Sequence, residues 1–232
     1  MFDVDGTLVR GNGIDDICFS EAIRDVLKVG QFDTDWSQYS NVSDSGITSE
    51  VIEKHCMRRA TEVDITSVRQ SYLSKLKDAV EKDANIFQAT PGAKELIADL
   101  ISIDGVSVAV ATGGWRDSAL LKLETVGIPF DNIPIASSDD AHERELIMRK
   151  SHDSALAYAN CTEFQSVLYV GDHPWDFVNS TKLGYRFLGI GFGSQEHKLK
   201  QAGVTHIMPD LTDKDYFFKI LFQALCIEGA QT

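Results

Sequence analysis

Twice in this chain a run of apolar residues stops abruptly at glycine and polar side chains. Val108-Ala109-Val110-Ala111 gives way to Thr112-Gly113-Gly114, and Val167-Leu168-Tyr169-Val170 gives way to Gly171-Asp172. Short apolar runs rich in valine and bounded by glycine read as strands buried on both faces. A third stretch, Met1-Phe2-Asp3-Val4-Asp5-Gly6-Thr7, ends in two aspartates two residues apart. Phe2 and Val4 flank Asp3 with strand-forming side chains, and Gly6 permits the sharp exit that such a strand end needs. Strands of this kind alternating with helical crossovers imply an α/β fold with a doubly wound, Rossmann-like parallel sheet. Such a sheet collects its site at the C-terminal ends of its strands, where all three stretches deliver their polar residues.

The alternation continues from residue 90 onward. Strands are expected over 106–111, 133–136, 166–170, 185–190 and 204–208. Helices are expected after Pro91, over 115–126, 143–159 and 175–183, and in a last segment carrying Tyr216, Phe217, Ile220, Leu221, Ala224 and Leu225. The stretch before this has no strand pattern. Ile14, Ile17, Cys18, Ala22, Val26 and Leu27 recur at helical spacing, as do Val68, Tyr72, Leu73, Leu76, Ala79 and Val80 on a helix expected over 65–82. Between them lie a turn-rich stretch, 31–46, and a helix expected over 48–60 with Thr48 or Ser49 as its N-cap. The expected organisation is a core of residues 1–13 and 85–232 interrupted by a small α-helical domain, 14–84.

Hydrophobic residues make up 43% of the 232, enough for a sizeable core, and the formal net charge is −13. That charge argues against nucleic acid or an anionic membrane surface as a partner. No apolar run approaches the ~20 residues of a membrane span, and the N-terminus shows no basic, apolar leader, so a cytoplasmic protein is expected. Cys18, Cys56, Cys161 and Cys226 are scattered, without a C-x-x-C pair, and are expected to be reduced thiols. Oligomeric state leaves no mark in the sequence.

The acids carry the chemistry. Residues i and i+2 of a strand point the same way, so Asp3 and Asp5 are held together. Two such carboxylates repel unless a proton or a cation relieves them, and a hard divalent ion, Mg²⁺ above all, suits oxygen ligands. Asp172 and Asp176, four apart, stand at the end of another strand.

In order and spacing these features resemble the haloacid dehalogenase (HAD) superfamily of phosphohydrolases. Its D-x-D-G-T motif matches Asp3 to Thr7, and its strand ending in Ser or Thr matches Thr112. Its G-D-x-x-x-D motif matches Gly171, Asp172 and Asp176, and its helix-opening Lys or Arg falls within 142–150. The resemblance covers nearly the whole chain. The position and helical content of the insert resemble the C1 type of cap, as in phosphoglycolate phosphatase-like members.

The resemblance implies a Mg²⁺-dependent phosphatase acting on a small phosphorylated metabolite through an aspartyl-phosphate. A phosphomutase of the same superfamily, or a binding protein on the same fold, are the alternatives. Asp3 would be the nucleophile and a metal ligand. Asp5 would lend its main-chain carbonyl to the metal, and its side chain, crowded by other carboxylates, would serve as general acid and base. Asp172 would complete the protein's share of the metal shell. Thr112 and the Gly113 and Gly114 amides would hold the phosphoryl group. Arg144 and Lys150 both compete for the cation, with Arg144 favoured because it opens its helix and a planar guanidinium bridges two oxygens at once. Asp176 would orient that cation. Arg10, Arg24, Ser43, Asp44 and Thr48 are candidates for facing the leaving group, and 41–46 reads either as a substrate-reading loop or as a helix-capping turn. Phosphoglycolate and sugar phosphates are both compatible substrates.

Overall fold

The computed structural model describes residues 1–11 and 13–223. The expected helical placements of Ala224 and Leu225, and Cys226, lie outside the described residues. In chain order the elements are residues 1–3, β1 (Val9–Arg10), α1 (Ile14–Leu27), α2 (Asp44–Cys56), α3 (Glu62–Lys82), β2 (Gln88–Ala89), α4 (Ala93–Ile101), β3 (Val110–Ala111) and α5 (Arg116–Val126). There follow β4 (Ile135–Ala136), α6 (Arg144–Ala159), β5 (Leu168–Gly171), α7 (Pro174–Lys182), β6 (Arg186–Ile190), α8 (Ser194–Gln201), β7 (Ile207–Met208) and α9 (Lys214–Phe222).

Residues 1–3 form the middle of the sheet. The Phe2 amide donates to the Ala109 carbonyl and the Asp3 amide to the Val170 carbonyl, both at 2.9 Å. Phe2 thereby bridges Val110 on one side and Val170 on the other, parallel to each. β4 pairs outside β3, and β6 and β7 follow β5, all parallel. The order across the sheet is β4, β3, residues 1–3, β5, β6, β7. The first two aspartates are thus placed on the central strand, at its C-terminal end.

Strand periodicity sorts the core into two layers. Val110, Leu168, Val170 and Leu188 point to one face, into an apolar cluster with Leu96 and Ile97 of α4, Leu123 of α5 and Phe217 of α9. Their neighbours Ala111, Tyr169 and Phe187 point to the other, against Ile147 and Met148 of α6 and Leu199 of α8. Alternation with period two on a sheet covered on both faces is what a doubly wound fold requires. α1 and α3 join the first cluster through aromatic rings. Phe19 meets Tyr72 edge-on at 5.5 Å and Trp115 at 5.8 Å, so the inserted helices rest on the entry to α5.

Several boundaries differ from the sequence expectation. α2 begins at Asp44, not near Thr48, because Ser43 accepts from the Gly46 amide at 3.2 Å and caps it. Thr48 lies inside that helix. α3 starts earlier, at Glu62, behind a capping box of Thr61 and Asp64. β1 and β2 pair antiparallel where the insert leaves and returns, a two-residue ladder too short to show a period. α8 was not anticipated; Leu199 is its one buried side chain, so it has almost no apolar stripe to read. Cys18, Cys56 and Cys161 are free thiols. Among the described residues no helix is long and apolar enough to cross a membrane.

Candidate active site

At the C-terminal edge of the central strands lies a cavity of about 170 Å³ whose walls include Asp3, Asp5, Thr112, Gly113, Gly114 and Arg144. A second cavity of about 180 Å³ sits at the opposite strand ends, walled by residues such as Val106, Ala155 and Phe164, with no converging acids.

Asp3 is 5% exposed. Its Oδ2 stands 3.2 Å from the Arg144 guanidinium, and its Oδ1 is buried with no hydrogen-bond partner among the described residues. Burial raises its carboxyl above the usual range, while Arg144 pulls the other way. Asp172 is similar: its Oδ1 lies buried, 2.8 Å from His173 Nδ1, and burial raises its pKa against the pull of that histidine. Gly6 is what lets these two strand ends meet. It sits at φ +75°, and a Cβ there would come within 2.0 Å of Asp172 Oδ2.

Arg144 is the first residue of α6 and is 6% exposed. Its Nη2 donates to Asp176 Oδ1 and also faces Asp3. Burial works against the charge, but Asp176 and Asp3 outweigh it and hold the guanidinium firmly protonated. Asp176 is fully buried and spends its other oxygen on the His173 amide at 3.2 Å, which caps α7. Asp172, His173 and Asp176 offer atoms within 4.8 Å of one another. Asp176 already accepts one hydrogen bond on each oxygen, from Arg144 and from the His173 amide. Gly113 makes room for the arginine: a Cβ there would come within 2.4 Å of Arg144 Nη1. Lys150, the rival cation, is exposed and does not line the cavity. Six residues along a helix place it about 120° around the axis from Arg144.

Thr112 is buried, and its Oγ1 accepts from the Gly114 amide at 3.1 Å. The Gly114 N–H is therefore turned onto the threonine, and Gly113 gives its carbonyl to the Asp44 amide at 2.8 Å. Of the side chains expected to face a leaving group, Ser43 and Asp44 line the cavity. Arg10 donates to the Pro209 carbonyl and lies over Phe192, Arg24 lies over Phe32, and neither reaches the cavity.

One residue escaped the sequence reading. Lys122 of α5 is fully buried, with its Nζ 2.8 Å from Asp5 and 2.6 Å from Asp15 of α1. Asp15 also accepts from the Tyr72 hydroxyl at 2.6 Å. The only available signal was a lysine among apolar residues on the inward side of its helix, between Ala119 and Leu123. Burial raises the Asp5 carboxyl to about 7, against the pull of Lys122. Both acids press the lysine to stay charged despite its burial. Lys122→Met would strand two carboxylates without their cation. Removing one partner of a fully buried pair costs about 3–5 kcal/mol, and partial exposure of both acids lowers that to about 2–3. Chemical denaturation of the variant should show a loss of this size; a loss below about 0.5 kcal/mol would show the contact to be idle.

A family model described as haloacid dehalogenase-like hydrolase matches residues 1–190. A search of curated proteins finds no match. Among solved structures, a hydrolase from Pseudomonas syringae superimposes with a TM-score of 0.68 at 19% identity, over 91% of this chain and 93% of that one. CbbY from Rhodobacter sphaeroides, solved with phosphate and, as a mutant, with xylulose-(1,5)bisphosphate, gives 0.67 at 19% identity over the same shares. A predicted phosphoglycolate phosphatase from Haemophilus somnus gives 0.63 at 18%, over 94% of this chain and 96% of that one. At these identities the likeness speaks for the fold.

Proposed function

The chain belongs to the haloacid dehalogenase-like hydrolase family, and on that premise we propose that it hydrolyses a small phosphate monoester by transferring the phosphoryl group to Asp3. The observation that carries this reading is the state of Asp3 itself. A buried carboxylate with one oxygen unpartnered, and its other oxygen beside a guanidinium fixed by a second acid, is a nucleophile set next to an anion site. Hydrolysis of such esters is slow enough that an enzyme must lower the barrier by on the order of 20 kcal/mol, so several groups must act together.

The donor set also fits Mg²⁺. Asp3 Oδ1 is a hard oxygen donor left without a hydrogen bond among the described residues, and Asp172 Oδ1, buried beside it in the fold, has only His173 near it. With the Asp5 main-chain carbonyl they would hold the ion. When bound, it supplies positive charge to the phosphoryl oxygens and to the acids around them. The remaining work belongs to this chain. Arg144, steadied by Asp176, faces the phosphoryl oxygens, with Thr112 beside it. Asp5, with a carboxyl that titrates near 7, gives a proton to the departing alkoxide and takes one from the water that follows. Residues 14–84 form the cap in this reading, and Asp15, Asp44 and Ser43 bring its underside to the cavity.

The test is release of phosphate from p-nitrophenyl phosphate. EDTA-treated protein should lose turnover and recover it with Mg²⁺. Full turnover in metal-free buffer would contradict the metal's part in the proposal.

A further inference from the structure

We infer that the alcohol leaving this site presents hydroxyl or ammonium donors and carries no second anionic group; the inference rests on the phosphatase reading above. It comes from the charge left over once each cation near the cavity has been assigned to its partners. Among the described residues the cationic groups lining the cavity are Arg144 and His173. Arg144 already faces Asp3 and Asp176, and His173 faces Asp172. Lys122, just behind the wall, is shared by Asp5 and Asp15. Among the described residues of this wall, no further cation is left for a carboxylate or a second phosphate on the substrate.

The wall beyond the phosphoryl end is acidic and aromatic. Asp15, Asp16 and Asp44 come from the inserted helices, together with the rings of Phe19 and Trp36, and Trp175 enters from α7. Asp44 spends Oδ2 on the Trp115 amide at 2.9 Å, and Asp16 fixes the Trp36 indole N–H at 2.7 Å. Trp175 is stacked on His173 with ring centroids 3.9 Å apart. The same cavity contains the unpartnered Asp3 Oδ1, so these groups surround a place built to receive a ligand. Carboxylates accept hydrogen bonds, and aromatic faces favour C–H edges or a cationic head. A second anion would meet Asp16, which no cation offsets among the described residues, and like charge costs more than a missing contact.

Three esters of one two-carbon skeleton separate the chemistries: 2-hydroxyethyl phosphate, phosphoethanolamine and phosphoglycolate. With Mg²⁺ present, kcat/KM for the first or second should exceed that for phosphoglycolate by about tenfold or more, and which of the two leads distinguishes a hydroxyl from an ammonium head. Asp16→Asn, at an exposed position, should narrow that gap by a factor of about two to five. Phosphoglycolate turned over as well as the other two, or a gap that Asp16→Asn leaves unchanged, would overturn the inference. p-Nitrophenyl phosphate is the control. If it is hydrolysed while phosphoglycolate leads, the inference fails and the phosphatase reading stands; if neither it nor any of the three is hydrolysed, both fall.

Discussion

Arg144→Ala should lower kcat/KM by a factor of about 10²–10³, the loss that follows removal of one preorganised donor from a developing charge. The protein carries a net charge of −13 and gathers Asp3, Asp5, Asp172 and Asp176 at one strand edge. A divalent ion and a proton on Asp5 would still leave a dianionic phosphate facing repulsion, so a fixed cation has to reach the phosphoryl group. The structure puts the Arg144 guanidinium, 6% exposed, against both Asp3 and Asp176. Buried in this way, its charge counts for more than it would at the surface. Removing it also leaves Asp176 buried without its cation, so the variant should be less stable, and its fold has to be confirmed by circular dichroism. Arg144→Lys keeps the charge but gives up the fork that spans two carboxylates, and should fall between Ala and wild type. Lys150→Ala should change steady-state rates on the same ester less than twofold, because Lys150 is exposed on a different side of α6. Damage from Lys150→Ala with a mild Arg144→Ala would reverse the two assignments.

Much of the fold was legible because buried parallel strands announce themselves. The apolar runs at 108–111 and 167–170 end in glycine, and their order fixed a sheet whose C-terminal edge carries polar groups. Arg144 was legible as a helix-opening residue, and its contact with Asp176 follows from an acid capping the next helix. The rest was hidden for physical reasons. The α2 cap at Ser43 sat within 41–46, where the helix-capping turn was one of two readings and is the one the structure shows; a capping serine and a substrate-reading loop serine look alike in sequence. β1 and β2 are two residues each, below any period. Lys122 looked like an ordinary helix residue. What makes it special is Asp15, 107 positions earlier by the numbering, whose approach depends on how the inserted helices pack through Phe19, Tyr72 and Trp115. Side chains whose meaning depends on a partner from another element cannot be recognised by spacing alone.

The division of labour between Asp3 and Asp5 makes the other large prediction. Asp5→Asn keeps the nucleophile but removes the group that carries the proton, so turnover should fall by about 10²–10⁴. The fall should be greater for an alkyl phosphate than for p-nitrophenyl phosphate, whose leaving group departs without a proton. Water attacking the phosphorylated Asp3 also needs a base, so the Asp5→Asn protein should retain phosphate on Asp3 after substrate is added. Burial holds the wild-type Asp5 carboxyl near 7, where it can both give and accept a proton at neutral pH. Acid quenching during turnover with Mg²⁺, followed by mass spectrometry of the tryptic peptide spanning residues 1–10, reads this directly. The account predicts a phosphoryl group on Asp3 in the wild type, more of it in Asp5→Asn, and none in Asp3→Asn, which should also be inactive. A phosphoryl group found on another residue, or an Asp3→Asn protein that still turns over substrate at the wild-type rate, would contradict it.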